Sequence, residues 1–215
     1  MSSAAPGTPS PGPPGPSRAP RRRNNAAPPR EVVLGAAMDA IAEHGLEKLT
    51  MAGLGRQVGM SSGHLLYYFR SKDELLLQTL EWSEERIGVA RRTALARRAP
   101  VRRRLDAYVE LYVPRGPRDP QWTLWLELWN RAHGFDDGAR DRLLAIELAW
   151  HRDLVALLVE GGVGGADPDR LATRVRALLD GFSTHVAIGL PGAERDEVLR
   201  RVGEFLDETF EGAGG

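Results

Sequence analysis

The chain has no cysteine. Disulfides, thiolate nucleophiles and cysteine-ligated zinc or iron–sulfur centres are excluded, and the composition suits a reducing compartment. Lysine is almost missing, with only Lys48 and Lys72 among 29 basic residues. Arginine, alanine and glycine usage of this kind fits a GC-rich genome, so arginine abundance alone says little. No apolar run approaches the ~20 residues that a membrane helix needs. The start of the chain lacks the apolar stretch of a secretory signal. A cytoplasmic protein with no membrane partner is expected. The five histidines (His44, His64, His133, His151, His185) show no H-E-x-x-H spacing, and Asp136-Asp137-Gly138 lacks the rest of an EF-hand loop. The glycines at 161, 162, 164 and 165 fall between helical patterns and not after a strand, so they read as a loop rather than a nucleotide cradle. Neither an enzyme, a metal nor a cofactor is expected.

What is present is a chain of 215 residues, 42% hydrophobic, with zero net charge. That allows one large domain or two small ones. The zero hides an asymmetry: residues 1–118 carry 19 basic and 11 acidic side chains, and residues 119–215 carry 10 and 18. The basic half is where a polyanion is expected to bind. Residues 1–29 hold nine of the fifteen prolines and four arginines (Arg18, Arg21, Arg22, Arg23), with no acid. Such a segment buries too little apolar surface to offset its ordering entropy and reads as a disordered arm. It either touches DNA phosphates or a minor groove, or serves as a solubilising tail.

After residue 29 the pattern is all helical, with no alternating β-branched runs between hairpin turns. Val33, Leu34, Ala37, Ala40 and Ile41 recur at helical spacing up to Gly45. Thr50 and Ser61 are N-cap candidates for two short helices separated by Gly59. Ser71 and Glu74 form a capping box before a long helix running to about Arg98. Further helices are expected from about Pro100 to Tyr112 and over roughly 119–133, 138–160, 167–189 and 194–210, nine in all. The fold class is all-α: an N-terminal helix-turn-helix unit followed by a larger helical unit. The expected organisation is an arm at 1–29, a helix-turn-helix DNA-binding domain at 30–76, and a helical ligand-binding and dimerisation domain at 77–211.

The stretch 50–72, TMAGLGRQVGMSSGHLLYYFRSK, is a helix, a glycine turn and a second short helix, which is the spacing of a helix-turn-helix. Ala52, Leu54, Val58 and Leu65 can pack the two helices, and Ser62, His64 and Tyr67 then project toward a major groove. In the same region Ala36-Ala37, Ile41, Glu43-His44-Gly45, Leu49-Thr50, Gly59-Met60-Ser61, Gly63, Leu65, Tyr68-Phe69, Ser71-Lys72 and Glu74-Leu75 occur in order. Over residues 30–80 the chain thereby resembles the DNA-binding domain of the TetR family of bacterial repressors. One departure is Leu66, where many members carry tyrosine. Further on, Trp122 to Trp129, Trp150-His151 and Leu179-Asp180-Gly181-Phe182 resemble the C-terminal domain of the BetI-like branch.

The resemblance implies a homodimer that binds a near-palindromic double-stranded DNA operator and is released by a small-molecule inducer. Thr50 caps the helix crossing the DNA backbone and can meet a phosphate. Ser61 and Ser62 lie at a helix N-terminus that favours phosphate. His64 is the candidate base contact, Tyr67 and Lys72 contact phosphates, and Arg56 and Lys48 add backbone contacts. Tyr68 and Phe69 are expected in the core. Residues 30–80 carry five bases and six acids, so binding relies on placed contacts.

Pairing through the last two long helices is also implied. Leu171, Val175, Leu178, Leu179, Phe182 and Val186 form a stripe on one, and Val198, Val202, Phe205, Leu206 and Phe210 on the next. These stripes could instead pack within one subunit. Trp122, Trp125 and Trp129 share a helix face. With Trp150, Tyr108, Tyr112, His151, Phe182 and His185, some of them are candidates to line a pocket for an unidentified ligand, the rest being core. Glu127, Glu147 and Asp180 nearby would suit a cation. Two alternatives stay open: an activator, or a helical adaptor that uses the helix-turn-helix only for protein contacts. Only a DNA reader would lose affinity steeply with salt.

Overall fold

The computed structural model describes residues 28–162 and 167–212. Most of the expected arm (1–27) and residues 163–166 of the glycine-rich loop lie outside the described residues. Nine α-helices and no strand occur among the described residues. They are α1 (Arg30–His44), α2 (Met51–Val58), α3 (Ser62–Phe69), α4 (Lys72–Leu95), α5 (Val101–Tyr112), α6 (Pro120–Arg131), α7 (Asp137–Glu160), α8 (Pro168–Ile188) and α9 (Arg195–Gly212).

Local chemistry sets most of the boundaries. The hydroxyl of Thr50 accepts from the Gly53 N–H, Ser61 from His64 and Ser71 from Glu74, at 3.0–3.1 Å. Asp119, Asp136 and Asp167 cap α6, α7 and α8 in the same way, with Pro120 and Pro168 at first helical positions that need no N–H. Each cap contributes about 1 kcal/mol. The capping box at α4 is only half formed, because the Glu74 carboxylate accepts from Gln78 and Arg142 instead of the Ser71 N–H. Helix α4 stops at Leu95, short of Arg98. Pro100 disfavours helical backbone at Ala99, and residues 96–99 turn.

The core divides into two clusters that meet at α6. One joins Val33, Leu34, Ala37 and Ile41 of α1 to Leu54, Leu65, Phe69 and Leu75, Leu76, Leu77 and Leu80 of α4. Leu124, Trp125 and Leu128 of α6 belong to it as well. The other gathers Leu105 and Tyr108 of α5, Trp150 and Leu154 of α7, Val175 and Leu179 of α8, and Val198 and Val202 of α9. Each fully buried leucine contributes roughly 1.5–3 kcal/mol.

This packing takes four of the seven expected dimer residues into the subunit itself. Leu171, Val175, Val202 and Leu206 are buried in the subunit's own core, and Leu178, Phe182 and Phe205 are half-buried. An amphipathic helix has one apolar face, and here α7, α5 and the α8–α9 pairing itself cover it. The face that α8 leaves outward carries Arg174, Ala177, Gly181, His185 and Ile188.

Candidate nucleic-acid interface and ligand cavity

Helix α3 is short and two-sided. Leu65 and Phe69, one helical turn apart, are buried against α1, α2 and α4. Ser62, His64, Leu66 and Tyr67 are exposed, Tyr67 to 82%. Tyr68, expected in the core, is exposed too; its ring lies 5.2 Å from that of His64 and 6.0 Å from that of Tyr67. Two buried positions suffice to anchor an eight-residue helix, and Tyr68 lies beside them on the rim.

The turn before α3 depends on two glycines. Gly59 closes α2 at φ 73°, ψ 25°, the left-handed region that β-carbons disfavour. At Gly55 a β-carbon would stand 2.5 Å from the Met60 carbonyl oxygen, so the backbone of the turn presses directly on α2. Lys48, Thr50, Arg56 and Ser61 are exposed around this turn, and Lys72 is half-buried at the first position of α4. All eight expected DNA-contact residues thus lie on α2, α3 or the segments that flank them.

At its other end α4 helps to wall a cleft of about 870 Å³, within the usual range for ligand sites. Five aromatic rings from α5, α6 and α7 line it: Tyr112, Trp122, Trp125, Trp129 and Trp150. Among them sits Glu84, only 7% exposed. Its Oε1 accepts from Gln121 Nε2 at 2.6 Å and Trp125 Nε1 at 3.0 Å, and its Oε2 from Trp150 Nε1 at 2.9 Å. All three donors are neutral. Among the described residues no lysine or arginine reaches ion-pair distance. A buried carboxylate without a counter-cation is costly in a low-dielectric wall and attracts positive charge.

The three acids singled out in the sequence are already committed. Glu147 accepts from Trp129 Nε1 at 2.8 Å and pairs with Arg176. Asp180 accepts from the Tyr112 hydroxyl, and Glu127 pairs with Arg131. Burial pushes the Tyr112 hydroxyl well up and raises Asp180 from its ordinary value. Two rings also hold cations of the protein itself: Arg91 lies 3.9 Å over Trp150 and Arg176 lies 5.4 Å over Tyr112.

Of the eight candidates, Tyr112, Trp125, Trp129 and Trp150 line the cleft and four do not. Tyr108 is wholly buried and donates to the Trp150 carbonyl at 3.0 Å. His151 meets Asp169 at 2.9 Å, Phe182 packs on the C-terminal core, and His185 is exposed. Sequence reasoning missed Glu84, although the signal was there. Leu77, Leu80, Glu84 and Arg91 continue one helical stripe, with two charges where apolar residues belong.

Known proteins show both halves. The family described as bacterial regulatory proteins, tetR family, matches residues 33–79, and the family described as BetI-type transcriptional repressor, C-terminal, matches residues 100–211. The transcriptional regulator PksA of Bacillus subtilis is 24% identical over 83% of this chain and 88% of its own length. BetI of Agrobacterium fabrum is 28% identical over 71% and 74%. A transcriptional regulator from Saccharomonospora viridis, solved in complex with choline, superposes with a TM-score of 0.73 at 27% identity, covering 83% of this chain and 95% of the other. These families and relatives are transcriptional regulators and not enzymes.

Proposed function

The chain belongs to the TetR family of bacterial regulatory proteins, and from that premise we propose that it is a cytoplasmic repressor released from its operator by a cationic small molecule. Residues 30–76 read DNA, and residues 77–211 hold the ligand and pair two subunits. Two copies pair through α9 and the outward face of α8. The two-fold axis then presents two α3 helices to successive major grooves about 34–36 Å apart on a near-palindromic operator. His64 contacts a base edge, while Thr50, Ser61, Ser62, Tyr67 and Lys72 hold phosphates, with Arg56 and Lys48 at the margin. No helix among the described residues is long and apolar enough to cross a membrane.

The observation that carries this reading is Glu84. It is a buried carboxylate with neutral donors only, set among tryptophans, on the helix that begins next to α3. The choline bound to the Saccharomonospora viridis protein supports a cation as the ligand class. A cation at Glu84 competes with Gln121 and the two indoles for the carboxylate lone pairs. That loosens α4 from α6 and α7, and a shift of a few ångströms at α3 breaks the match to the groove spacing. The ligand must prefer the released state by a few kcal/mol to act.

The test is a titration of the full-length protein against the DNA upstream of its own gene, at two salt concentrations, with an unrelated duplex as control and choline as the probe. Preferential binding that falls steeply with salt and weakens when choline is added is expected. Binding that is equal for both duplexes and indifferent to choline would overturn the proposal.

A further inference from the structure

The cleft does not end at the tryptophans. It follows α4 from Glu84 past Ala90 and Ala94 to Arg97. A second pocket of about 400 Å³ opens beyond and shares Ala94, Arg97, Ala107 and Glu110 with the first. Glu84 and Ala94 are ten residues apart on one helix, so at 1.5 Å per residue the track is about 15 Å long.

The two ends differ in which charges are paired: at the tryptophan end Arg91 and Arg176 pair with Asp153 and Glu147, although one buried nitrogen of each has no acceptor. At the tryptophan end a buried carboxylate has no cationic partner. At the far end Arg97 and Arg103 have no ion-pair partner among the described residues. Arg104 pairs with Glu160, yet its buried Nε has no acceptor. Of the acids there, Asp106 is held by Arg102, which leaves Glu110 alone against the guanidinium groups.

We propose that the physiological ligand is an elongated zwitterion, with a quaternary or protonated amine at Glu84 and an anionic group about 15 Å away at the Ala94 end of the track, where Arg97 and Arg103 line the second pocket. The inference rests on the cationic reading of the cleft and adds a second charge and a length. A compact cation such as choline fills only the tryptophan end. The rest of the track then holds water between two sets of groups that a bipolar molecule satisfies together. The ends also differ in strength. The Glu84 contact is desolvated and little affected by salt, whereas Arg97 and Arg103 are exposed and their contribution is screened.

The experiment is calorimetry on the full-length protein with three probes of equal length: an ω-trimethylammonio carboxylate, the matching alkyltrimethylammonium, and the plain carboxylate. About a dozen bonds between the ends span the track, at the reach per bond of an extended chain. Choline is the fourth probe. The zwitterion is expected to bind roughly fivefold tighter than the alkyltrimethylammonium, the upper value for an exposed ion pair, and the gain should shrink with salt. The double variant Arg97→Ala, Arg103→Ala should abolish the gain and leave the alkyltrimethylammonium untouched. Glu84→Gln should weaken every cationic probe and spare the carboxylate.

If the alkyltrimethylammonium and the zwitterion bind equally, or if the double variant keeps the gain, the bipolar ligand is refuted while the cationic cleft stands. If no cationic probe binds, the cationic reading fails and the bipolar ligand with it.

Discussion

Two glycines in the helix-turn-helix make a controlled pair. Gly55 lies mid-way along α2, and Gly63 lies in the first turn of α3. Alanine at either position gains up to about 1 kcal/mol of helix propensity, so comparing the two variants largely cancels that term. What remains is space. A β-carbon at Gly63 meets nothing within 4 Å, whereas one at Gly55 would stand 2.5 Å from the Met60 carbonyl oxygen. That oxygen belongs to the backbone and cannot swing aside. The same turn is fixed from below by the Met60 N–H donating to the Gly55 carbonyl at 2.7 Å. Overpacking of this kind costs about 1–3 kcal/mol. At roughly 2–4 °C per kcal/mol for a chain of this size, Gly55→Ala should melt about 2–12 °C below Gly63→Ala. Thermal melts followed by circular dichroism read the gap. Because the clash moves α3 relative to α2, Gly55→Ala should also lose operator affinity by more than its lost stability explains, as read by fluorescence anisotropy below the melting range. Equal melting temperatures would refute the reasoning, since they would mean that the turn yields freely and does not position α3.

Glu84→Gln gives up one charge-assisted hydrogen bond, about 1.5–3 kcal/mol, and removes a buried unpaired charge whose cost is several kcal/mol. Its melting temperature should therefore equal or exceed that of the parent while choline affinity falls; an attraction of up to about 4 kcal/mol at 4 Å implies as much as a thousandfold loss, measured by calorimetry. Lys72→Ala should lower the slope of log affinity against log salt by about one on any duplex, and an unchanged slope would remove Lys72 from the phosphate contacts. Arg142 joins α7 to Glu74 and Glu81 of α4, so Arg142→Ala should alter how far choline weakens DNA binding while leaving choline affinity itself unchanged. The Arg200 and Arg201 guanidinium groups hold Glu197 down at about 2, from a usual 4.5. A depressed carboxylate stabilises the fold above its unfolded value, so any advantage of the parent over Glu197→Gln should be present above pH 4.5 and vanish as pH falls toward 2 in parallel melts.

The helices were legible in the sequence because their determinants are local. Thr50, Ser61 and Ser71 cap the helices they precede, and Gly59 turns the chain where its spacing predicts. The helix-turn-helix was legible for the same reason. Sidedness was not. The stripe on α8 announces an apolar face at Leu171, Val175 and Leu179 but does not say which neighbour takes it, and its own subunit does. Tyr108 and Tyr112 show the same limit. They are four residues apart on one face of α5, yet Tyr108 is wholly enclosed and Tyr112 reaches the cleft wall. Glu84 was hidden for another reason. In the acidic and basic run EWSEERIGVARR a single carboxylate reads as part of a solvated face. Only the phase set by Leu77 and Leu80 marks it as inward.

That phase has a consequence for coupling. The first half of α4 is fastened by charge: Asp73 to Arg131 of α6, Glu74 and Glu81 to Arg142 of α7, and Gln78 to Arg30 of α1. Its second half is fastened at Glu84, by a carboxylate shared between Gln121 and Trp125 of α6 and Trp150 of α7, and at Arg91, which pairs with Asp153 of α7 at 2.6 Å. Helix α6 appears in both sets. Its Leu124, Trp125 and Leu128 pack into the DNA-side core, while its Trp122 packs into the other. On the proposed mechanism, a ligand that draws on the Glu84 carboxylate would disturb α6 as well as α4. Arg131, at the far end of α6, pairs with Asp73, the residue next to Lys72. Packed helices move as rigid units, and interfaces of this kind switch between discrete arrangements rather than deform gradually. Two independent links thus run from one carboxylate to the base of α3. On the proposed mechanism, α3 would keep its place after a change at the cleft only if both links gave way.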